Sequence, residues 1–376
     1  MVTTILLYIL TLLLLAYSWQ LILIRRRWQE LKIWSTPPGF KPSTKVSVLL
    51  PVRNEAPGIE ACLTALAKQN LSDKYFDIHL IDDHSEDQTL EIARQAGIPN
   101  LHIHQLPVGE SGKKAALAMG VRASTGTLIM TTDGDCIADP GWISTTLSYY
   151  EQTQSVMICG AVSLEPANSL FTAFQALDFS GMMAVSAVGV TSGQIRLCNG
   201  ANLAFDRTAF LEVGAYEGID QIPSGDDVLL LDKMENYFPG KVSFLKQHIG
   251  IVRTVPMPDW RTFLLQRIRW AAKTTTKPHW PSLVLSGLVF GTCLAVFISF
   301  LLIPVYGIFP FLLFFSWKTI IDFFFLSTMA RFFGRSQLLN GYFMAQIFHL
   351  VYWISVGFAS LLMQKVNWKG RRVSLK

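Results

Sequence analysis

The chain has 376 residues, of which 51% are hydrophobic and 16% are charged, and its mean hydropathy is +0.34. These values exclude an ordinary soluble protein, which would be less apolar, and a bundle of transmembrane helices alone, which would carry fewer charges. The net charge is only +5 and the basic residues cluster beside apolar segments, so anionic lipid headgroups are favoured as partners over nucleic acid.

The first predicted element is an apolar helix. Ile5–Ile24 contains twenty residues without a charge. At about 1.5 Å per residue this segment spans about 30 Å, the thickness of the hydrocarbon core of a bilayer. We predict a transmembrane helix over residues 1–27. A cleaved signal peptide is the alternative, but no basic residue precedes the segment and no small-x-small cleavage site follows it.

Three arginines, Arg25–Arg27, follow this helix directly. Because basic residues flanking a span stay on the cytoplasmic side, the N-terminus is expected outside. The sequence therefore predicts a multi-pass protein of the inner or plasma membrane, with residues 28–280 forming one cytoplasmic domain.

Strand-like and helix-like runs alternate in that domain. Helices are predicted over Pro57–Gln69 and from Ser85 onward. Short apolar, β-branched runs predict strands at Lys45–Val52, Phe76–Ile81, Leu101–Gln105, Thr127–Thr131 and Val156–Val162. This alternation implies a parallel sheet covered by helices, and such sheets bind their ligands at the carboxyl ends of the strands.

Acidic motifs fall at three of these strand ends. The first strand closes with Pro51-Val-Arg-Asn-Glu55, the second with Asp82-Asp83, and the fourth with Asp133-Gly-Asp135. Two carboxylates two positions apart can divide their work, one binding a divalent metal and the other a sugar or ribose. The metal would neutralise a diphosphate as it leaves.

Two further motifs follow along the chain. The first is the acidic pair Asp226 and Asp227, directly after Gly225. Gln266, Arg269 and Trp270 belong to the pentapeptide QRIRW. This pentapeptide lies after the acidic pair and before the hydrophobic C-terminal region.

Several features between these motifs are less specific. Leu170–Val190 carries only Asp178 as a charge and is interpreted as a core helix, or alternatively as a helix at the membrane interface near the acceptor entrance. His102 and His104 are interpreted as structural, since two histidines make a poor metal site. The five cysteines, with no C-x-x-C spacing, are expected to be reduced.

The C-terminal region, residues 281–376, is mostly apolar and ends in a basic tail. Trp280–Trp317, extended to about Met329, is long enough for two spans joined near Pro304–Pro310, and Leu338–Met363 for one. One plus three spans would place Lys369, Arg371 and Arg372 outside, against the charge rule, so the number of spans stays open. Lys318 and Asp322 are predicted to form a salt bridge inside a span, with a role in a substrate path as the alternative.

Taken together, the motifs resemble those of family 2 glycosyltransferases, the inverting enzymes that include cellulose, chitin and hyaluronan synthases and ceramide glucosyltransferases. The resemblance runs from about Lys45 to Trp270, and similar membrane flanks extend it to nearly the full chain. It implies an α/β fold class, with a Rossmann-like mixed-sheet domain of the GT-A type flanked by one N-terminal and about three C-terminal membrane helices.

The resemblance also assigns roles to residues. Binding of a nucleotide-sugar donor falls to Pro51, Asn54, Glu55, Asp82, Asp83, Lys113, Asp133 and Asp135, of which Asp133 and Asp135 would hold Mn²⁺ or Mg²⁺. Catalytic roles fall to Asp226, Asp227, Gln266, Arg269 and Trp270, with Asp227 as the general base. Asn199–Asn202 resembles the acceptor-side turn, and Ala118 stands where the Lys113 segment of the family usually has Asn.

We therefore expect inverting transfer of a sugar, from a UDP-sugar by resemblance, to a membrane-associated acceptor. The tail Trp368–Arg371 looks like that of lipid-directed relatives and favours a lipid acceptor. A processive synthase that extends a growing glycan is the first alternative, and a catalytically silent membrane scaffold is the second. A nucleotidyltransferase would be expected to begin with a glycine-rich G-x-G-T-R motif, which Pro51–Glu55 is not.

Overall fold

The computed structural model describes residues 2–166, 169–222, 225–276, 279–363, 365–368 and 371–374. Its helices are α1 (Val2–Glu30), α2 (Ile59–Ala67), α3 (Thr89–Gln95), α4 (Lys113–Ala123), α5 (Trp142–Thr153), α6 (Leu170–Ser192), α7 (Arg207–Glu212), α8 (Asp226–Tyr237), α9 (Trp260–Thr276), α10 (Trp280–Leu301), α11 (Ile303–Tyr306), α12 (Phe309–Phe332) and α13 (Tyr342–Leu362). Its strands are β1 (Val46–Val52), β2 (Phe76–Asp82), β3 (Leu101–Gln105), β4 (Leu128–Thr131), β5 (Ile137–Ala138), β6 (Met157–Gly160), β7 (Val162–Leu164), β8 (Leu203–Asp206), β9 (Val242–Leu245), β10 (Val252–Thr254), β11 (Lys365–Trp368) and β12 (Arg371–Ser374).

The chain packs into two compact units. The sheet unit consists of residues 32–165 and 189–255, and the helical unit of residues 1–31, 166–188 and 256–376. Two segments that the sequence analysis assigns to the domain 28–280, namely 166–188 and 256–280, thus pack with the terminal helices. Both carry long helices, α6 and α9, and the apolar side chains of α6 find their partners in other helices.

The main sheet of the sheet unit has seven strands in the order β3-β2-β1-β4-β8-β6-β9. Strands β1 to β4 are parallel, β6 and β9 are parallel to each other, and β8 runs antiparallel to both of its neighbours. Every residue of β1 and β2 is buried, as expected for strands covered on both faces. The predicted mixed α/β sheet is confirmed.

One edge of this sheet collects the motifs. Strands β1, β2 and β4 are parallel, so Val52, Asp82 and Thr131 end at the same edge. Because β8 runs the opposite way, the turn that precedes it, Asn199–Asn202, reaches that edge as well. The strand order therefore positions four separate chain segments for one site.

The helix predicted to begin at Ser85 begins instead at Thr89. Ser85 is occupied in the preceding loop, where its N–H donates to the Asp82 carboxylate at 3.1 Å and its hydroxyl accepts the Asn54 N–H at 3.0 Å. Asp87 accepts the Thr89 N–H at 3.0 Å, and the helix begins there with Gln88 as its N-cap residue. The predicted start was wrong by four residues because the serine helps build the loop at the strand ends.

Within the described part of the chain, five helical segments are long and apolar enough to cross a membrane, as judged by length and composition. Four of them, Ile5–Glu30, Trp280–Leu301, Phe309–Phe332 and Ser336–Ser360, match the one N-terminal and three C-terminal spans expected from the sequence. The fifth is Leu170–Ser192, of which 78% is buried inside the protein, in agreement with a core helix. Of the basic tail, Lys369 and Gly370 lie outside the described residues.

The predicted salt bridge inside α12, which forms the second C-terminal candidate span, is present. Lys318 Nζ lies 2.6 Å from Asp322 Oδ2 and donates to Gln346 Oε1 at 2.8 Å. The other oxygen of Asp322 accepts the Tyr17 hydroxyl at 2.5 Å. The pair therefore joins α1, α12 and α13 through hydrogen bonds within the helical unit.

A second buried ion pair lies in the same unit. Arg267 on α9 and Asp178 on α6 are 2.9 Å apart, and both side chains are less than 10% exposed. The Tyr352 hydroxyl donates to the second oxygen of Asp178 at 3.0 Å. His349, on α13 with Tyr352, faces Lys318 at 3.3 Å. Because these contacts follow one another, the two ion pairs form one polar cluster among apolar helices.

The remaining structural expectations concern cysteine and histidine. All five cysteines are free and buried, as predicted. His104 lies within hydrogen-bond distance of His79, 3.0 Å away, and His79 in turn contacts Asp77 at 3.1 Å. The sequence analysis did not identify His79 as a partner because it belongs to a different strand, β2. The histidines cross-link β2 and β3, which agrees with the structural interpretation.

Candidate active site

The loop after β4 carries Asp133 and Asp135 and is tightly packed. A Cβ placed on Gly134 would lie 2.9 Å from Glu55 Cγ, and one on Gly58 would lie 3.0 Å from Asp135 Cα. Glu55 donates its backbone N–H to Thr89 Oγ1 at 2.8 Å, which fixes the loop after β1. The predicted residues Glu55, Asp133 and Asp135 thus meet at one place, and Gly134 allows this close approach.

Asp133, Asp135 and Cys136 could together hold a metal ion, because one ligand atom from each lies within 4.8 Å of the others. Burial and the two neighbouring carboxylates raise the pKa of the Cys136 thiol well above its usual value, so the thiol stays protonated at neutral pH. The donors that remain are two carboxylates. Carboxylate oxygens suit hard divalent cations such as Mg²⁺ and Mn²⁺, so the donor set fits the predicted metal.

Lys113 lies among the carboxylates at the first residue of α4. Its Nζ is 2.6 Å from Asp133 Oδ1 and 3.5 Å from Asp226 Oδ2. Although burial lowers its pKa, the carboxylates of Asp133, Asp226 and Asp227 outweigh burial and hold the pKa well above its usual value. The ammonium is therefore charged throughout the physiological range and is 31% exposed, which leaves it accessible to a bound anion.

Asp226 and Asp227 open α8, after Gly225 in a left-handed conformation with φ of 80°. Asp227 Oδ2 accepts the Gly200 N–H at 3.2 Å, and Oδ1 accepts the Val228 N–H at 2.8 Å. Gly200 is fixed in turn, because its carbonyl accepts the Thr131 hydroxyl at 2.7 Å. The orientation of the proposed base is thus set from β4 through the turn before β8.

Gly200 also lies where a side chain would interfere. A Cβ at this position would be 3.2 Å from both Asp226 Oδ2 and Lys113 Nζ, closer than most carbon contacts in proteins. The absence of a side chain lets three charged groups approach the turn. The resemblance pointed to this turn, but the steric reason is visible only in three dimensions.

The second predicted acidic pair lies at the end of β2. Asp82 is fully buried, and Asp83 Oδ2 accepts the Gly112 N–H at 3.0 Å. Arg53, which the sequence analysis left out, donates to the Asp83 carbonyl at 2.8 Å. Asn54 has a positive φ of 52°, and its side-chain oxygen accepts the Glu86 N–H at 2.9 Å. These bonds shape the loops around a candidate nucleotide site.

The QRIRW residues Gln266, Arg269 and Trp270 lie on α9, in the helical unit. The arginine that forms the buried ion pair is Arg267. Its guanidinium carbon lies 4.7 Å from the Trp270 ring centroid, in a cation–π contact. The structure thus brings together Lys113, Asp133, Asp135, Asp226 and Asp227 in one unit and places the three QRIRW residues in the other. No local pattern marks Asp178 as the partner of Arg267, since 89 positions separate them.

Comparisons with known proteins agree with this site. Residues 47–213 match the family model described as Glycosyl transferase family 2. The chain is 28% identical over 185 residues to the glycosyltransferase AglE of Haloferax volcanii, covering 49% of this chain and 59% of that protein. It is 31% identical over 159 residues to the undecaprenyl-phosphate 4-deoxy-4-formamido-L-arabinose transferase of Yersinia pestis, covering 41% and 47%. Both matches thus span less than two thirds of the relatives.

Among solved structures, the chain resembles the mannosyltransferase PcManGT of Pyrobaculum calidifontis, solved with GDP-Man and Mn²⁺. The TM-score is 0.59, the sequence identity is 17%, and the match covers 95% of this chain and 98% of that one. At this identity the likeness concerns the fold, and it includes the apolar helices as well as the sheet.

Proposed function

We propose that the chain transfers a sugar from a nucleotide donor to a membrane-associated acceptor, because residues 47–213 match the family 2 glycosyltransferase model and the fold is GT-A-like. The observation that carries this proposal is the carboxylate cluster at the sheet edge. Asp227 is held there by Gly200 while Lys113 lies between Asp133 and Asp226. A silent scaffold has no need of this arrangement.

For the donor, we propose a UDP-sugar held with Mn²⁺ or Mg²⁺. Asp133 and Asp135 would hold the ion, which would neutralise charge on the diphosphate. Lys113, charged and partly exposed beside them, would pair with a diphosphate oxygen. The mannosyltransferase of similar fold was solved with GDP-Man, so that donor belongs in the test.

For the chemical step, Asp227 would accept the proton of the acceptor hydroxyl as its oxygen attacks the anomeric carbon. The Gly200 and Val228 N–H groups fix the two carboxylate oxygens, so the orientation of the base is set before the acceptor arrives. Attack from the face opposite the leaving diphosphate inverts the anomeric configuration. Gln266, Arg269 and Trp270 on α9 are proposed to contact the departing diphosphate and the acceptor.

For the acceptor, we propose a lipid. The name of the Yersinia relative specifies undecaprenyl phosphate, and among the described residues five helices are apolar enough to cross a membrane. Arg25–Arg27, directly after the apolar part of α1, favour a cytoplasmic sheet unit by the positive-inside rule. A domain over residues 28–280 between membrane regions 1–27 and 281–376 remains part of this proposal.

The test is sugar incorporation by membranes that contain the protein. Radiolabelled UDP-glucose, UDP-N-acetylglucosamine, UDP-galactose and GDP-mannose are supplied with Mn²⁺ or Mg²⁺, or with EDTA. Membranes with Asp227→Asn serve as the blank. Products are separated into an organic-extractable fraction and a high-mass aqueous fraction.

We expect label in the organic fraction that depends on Asp227 and disappears with EDTA. Label in the high-mass fraction would replace the lipid proposal with a processive synthase. Label that survives EDTA would contradict the metal requirement, and equal label in the blank would contradict the role of Asp227. Absence of label with every donor would count against sugar transfer and favour the scaffold.

A further inference from the structure

Two consecutive lysines at the start of α4 bind different parts of the sheet unit. Lys113 contacts the carboxylates described above, whereas Lys114 points to backbone carbonyls. Its Nζ donates to Ile219 O at 2.7 Å and to Ile222 O at 2.5 Å. Lys114 is only 8% exposed, so its charge lies almost entirely out of water. The catalytic scheme proposed above gives this buried ammonium no role.

The loop that receives Lys114, residues 214–222, leads towards Asp226 and Asp227 and has an unusual backbone. Gly214, Ala215 and Gly218 all have positive φ, and at Ala215 the value is 46°. This conformation is costly for a residue with a side chain and persists only where other contacts impose it. The loop therefore depends on groups outside itself to keep its shape.

The second anchor of the loop comes from α8, the helix that begins with Asp226 and Asp227. Lys233 on α8 donates to the carbonyls of Gly214 at 3.2 Å, Ala215 at 2.7 Å and Glu217 at 3.1 Å. Lys233 thus binds the first part of the loop and Lys114 the last part. The loop connects α4 to α8 through these two ammonium groups.

The anchored loop carries Tyr216, which is 5% exposed and packs edge-on against Phe210. Burial, together with the nearby Asp226 and Asp227 carboxylates, raises the pKa of the Tyr216 hydroxyl well above its usual value. The phenol is therefore protonated beside the proposed base. Displacement of this loop would change the surroundings of both carboxylates.

A buried lysine is an expensive way to fill space, because its charge loses hydration. The carbonyls of Ile219 and Ile222 compensate for that loss, since hydrogen bonds from a charged donor are stronger than neutral ones. Methionine has nearly the same length and would fill the volume, but it would leave these carbonyls without the donor. The chemistry of the site therefore favours an ammonium specifically.

We propose that Lys114 is a positioning residue for the carboxylate pair Asp226 and Asp227: it holds the loop 214–222 in place while its neighbour Lys113 serves the diphosphate. This inference rests on the sugar transfer proposed above. It assigns different roles to two adjacent residues of the same type.

The experiment compares Lys114→Met, Lys114→Arg and Lys233→Met with the wild type in purified full-length protein. The readouts are kcat, the donor KM, and amide hydrogen exchange of peptides that cover residues 214–230. Lys233→Met is the matched control, because its half-buried ammonium binds carbonyls of the same loop but water can replace it.

For Lys114→Met we expect kcat to fall about thirtyfold while the donor KM changes less than about threefold, because an interaction that orients the base acts on the chemical step. Exchange in the loop should rise about tenfold. Lys114→Arg, which retains donors, should recover at least about a third of kcat, and Lys233→Met should lose less than about threefold.

The proposal is overturned if Lys114→Met retains wild-type kcat or changes only the donor KM. It is also overturned if Lys233→Met lowers kcat and raises loop exchange as much as Lys114→Met does. Should the wild-type protein transfer no sugar, the proposed function fails. In that event the exchange rates still decide whether Lys114 holds the loop, so the two failures can be told apart.

Discussion

The two units each contain a cluster of charged side chains, and the clusters differ in charge balance and in access to water. In the helical unit, two cations face two carboxylates, Lys318 and Arg267 with Asp322 and Asp178. In the sheet unit, Lys113 faces the carboxylates of Asp133, Asp226 and Asp227, and Asp135 lies near Asp133. The Lys318 and Asp322 side chains are 1% and 4% exposed, whereas those of Lys113 and Asp133 are 31% and 34% exposed.

The difference separates a structural cluster from a binding site. Charges in an apolar interior are tolerated when each is paired, and the balanced cluster joins apolar helices through polar contacts. In the sheet unit the Lys113 and Asp133 side chains reach solvent, and under the proposed function a divalent cation with a diphosphate donor would bind there. We therefore expect mutations in the first cluster to change stability and mutations in the second to change activity.

The largest expected effect is in the sheet unit. Asp227→Asn should reduce sugar transfer at least about a thousandfold, because the amide cannot accept the proton while its size is unchanged. The melting temperature in detergent should stay within about 2 °C of the wild type. Transfer and melting are measured on the same preparation.

Asp322→Asn in the helical unit is the matched change for this comparison. It should lower the melting temperature and leave kcat of the folded protein within about threefold of the wild type. If Asp227→Asn melted earlier than Asp322→Asn, or if Asp322→Asn abolished transfer, the contrast between the clusters would be wrong.

The next effect concerns the pairing of opposite charges in the cluster of the helical unit. Lys318→Met should lower the free energy of unfolding by about 3 kcal/mol, because Asp322 is left as an uncompensated buried charge. The double variant Lys318→Met with Asp322→Leu should recover most of this loss, since it removes both charges. Denaturation in mixed micelles measures both values. A double variant as unstable as the single one would mean that the charges themselves, rather than their balance, are required.

A smaller effect is expected from the close packing around Gly200 in the sheet-unit cluster. Gly200→Ala should lower kcat about tenfold, because the added Cβ would come within 3.2 Å of Asp226 Oδ2 and Lys113 Nζ and must displace them. Steady-state kinetics across donor concentrations would show this change. Gly193→Ala is not a fair control because φ there is positive, so Gly287→Ala, with open space at the Cβ position, is preferable. Equal activity of Gly200→Ala and wild type would show that the carboxylates tolerate the displacement.

The sequence alone predicted the elements whose signals are local. Leu101–Gln105 was predicted with the bounds it has as β3, and the C-terminal spans were placed close to α10, α12 and α13 because apolar length is a direct signal. The run Val156–Val162 was less tractable. It divides at Ala161 into β6, which joins the main sheet, and β7, which pairs with β10. Nothing in the run itself tells which strands will accept each half.

The site was predictable where motif residues follow strands and was not where contacts cross the chain. Asp133, Asp226 and Asp227 were predicted, and the structure places them around Lys113. The roles of Thr131, Gly200 and Lys114 depend on partners 69 to 108 positions away, which no local pattern reveals. For the same reason the sequence could not show which arginine of QRIRW pairs with Asp178. Arg267 and Arg269 look alike until the helix packs, and it is Arg267 that forms the ion pair.

The smallest predicted effect tests Lys113 in the sheet-unit cluster through the pH dependence of stability. Lys113→Met should lower the free energy of unfolding by about 1 kcal/mol, a modest value because the ammonium is partly exposed. The raised pKa of Lys113 fixes the sign of the pH dependence. Its contribution is complete below the unfolded-state value of about 10.4 and is lost only as pH rises through the still higher folded-state pKa. The difference in free energy of unfolding between variant and wild type should therefore be constant from about pH 6 to about pH 9, as measured by thermal or chemical denaturation. A difference that already shrank by pH 8 would mean that the carboxylates do not hold the lysine charged.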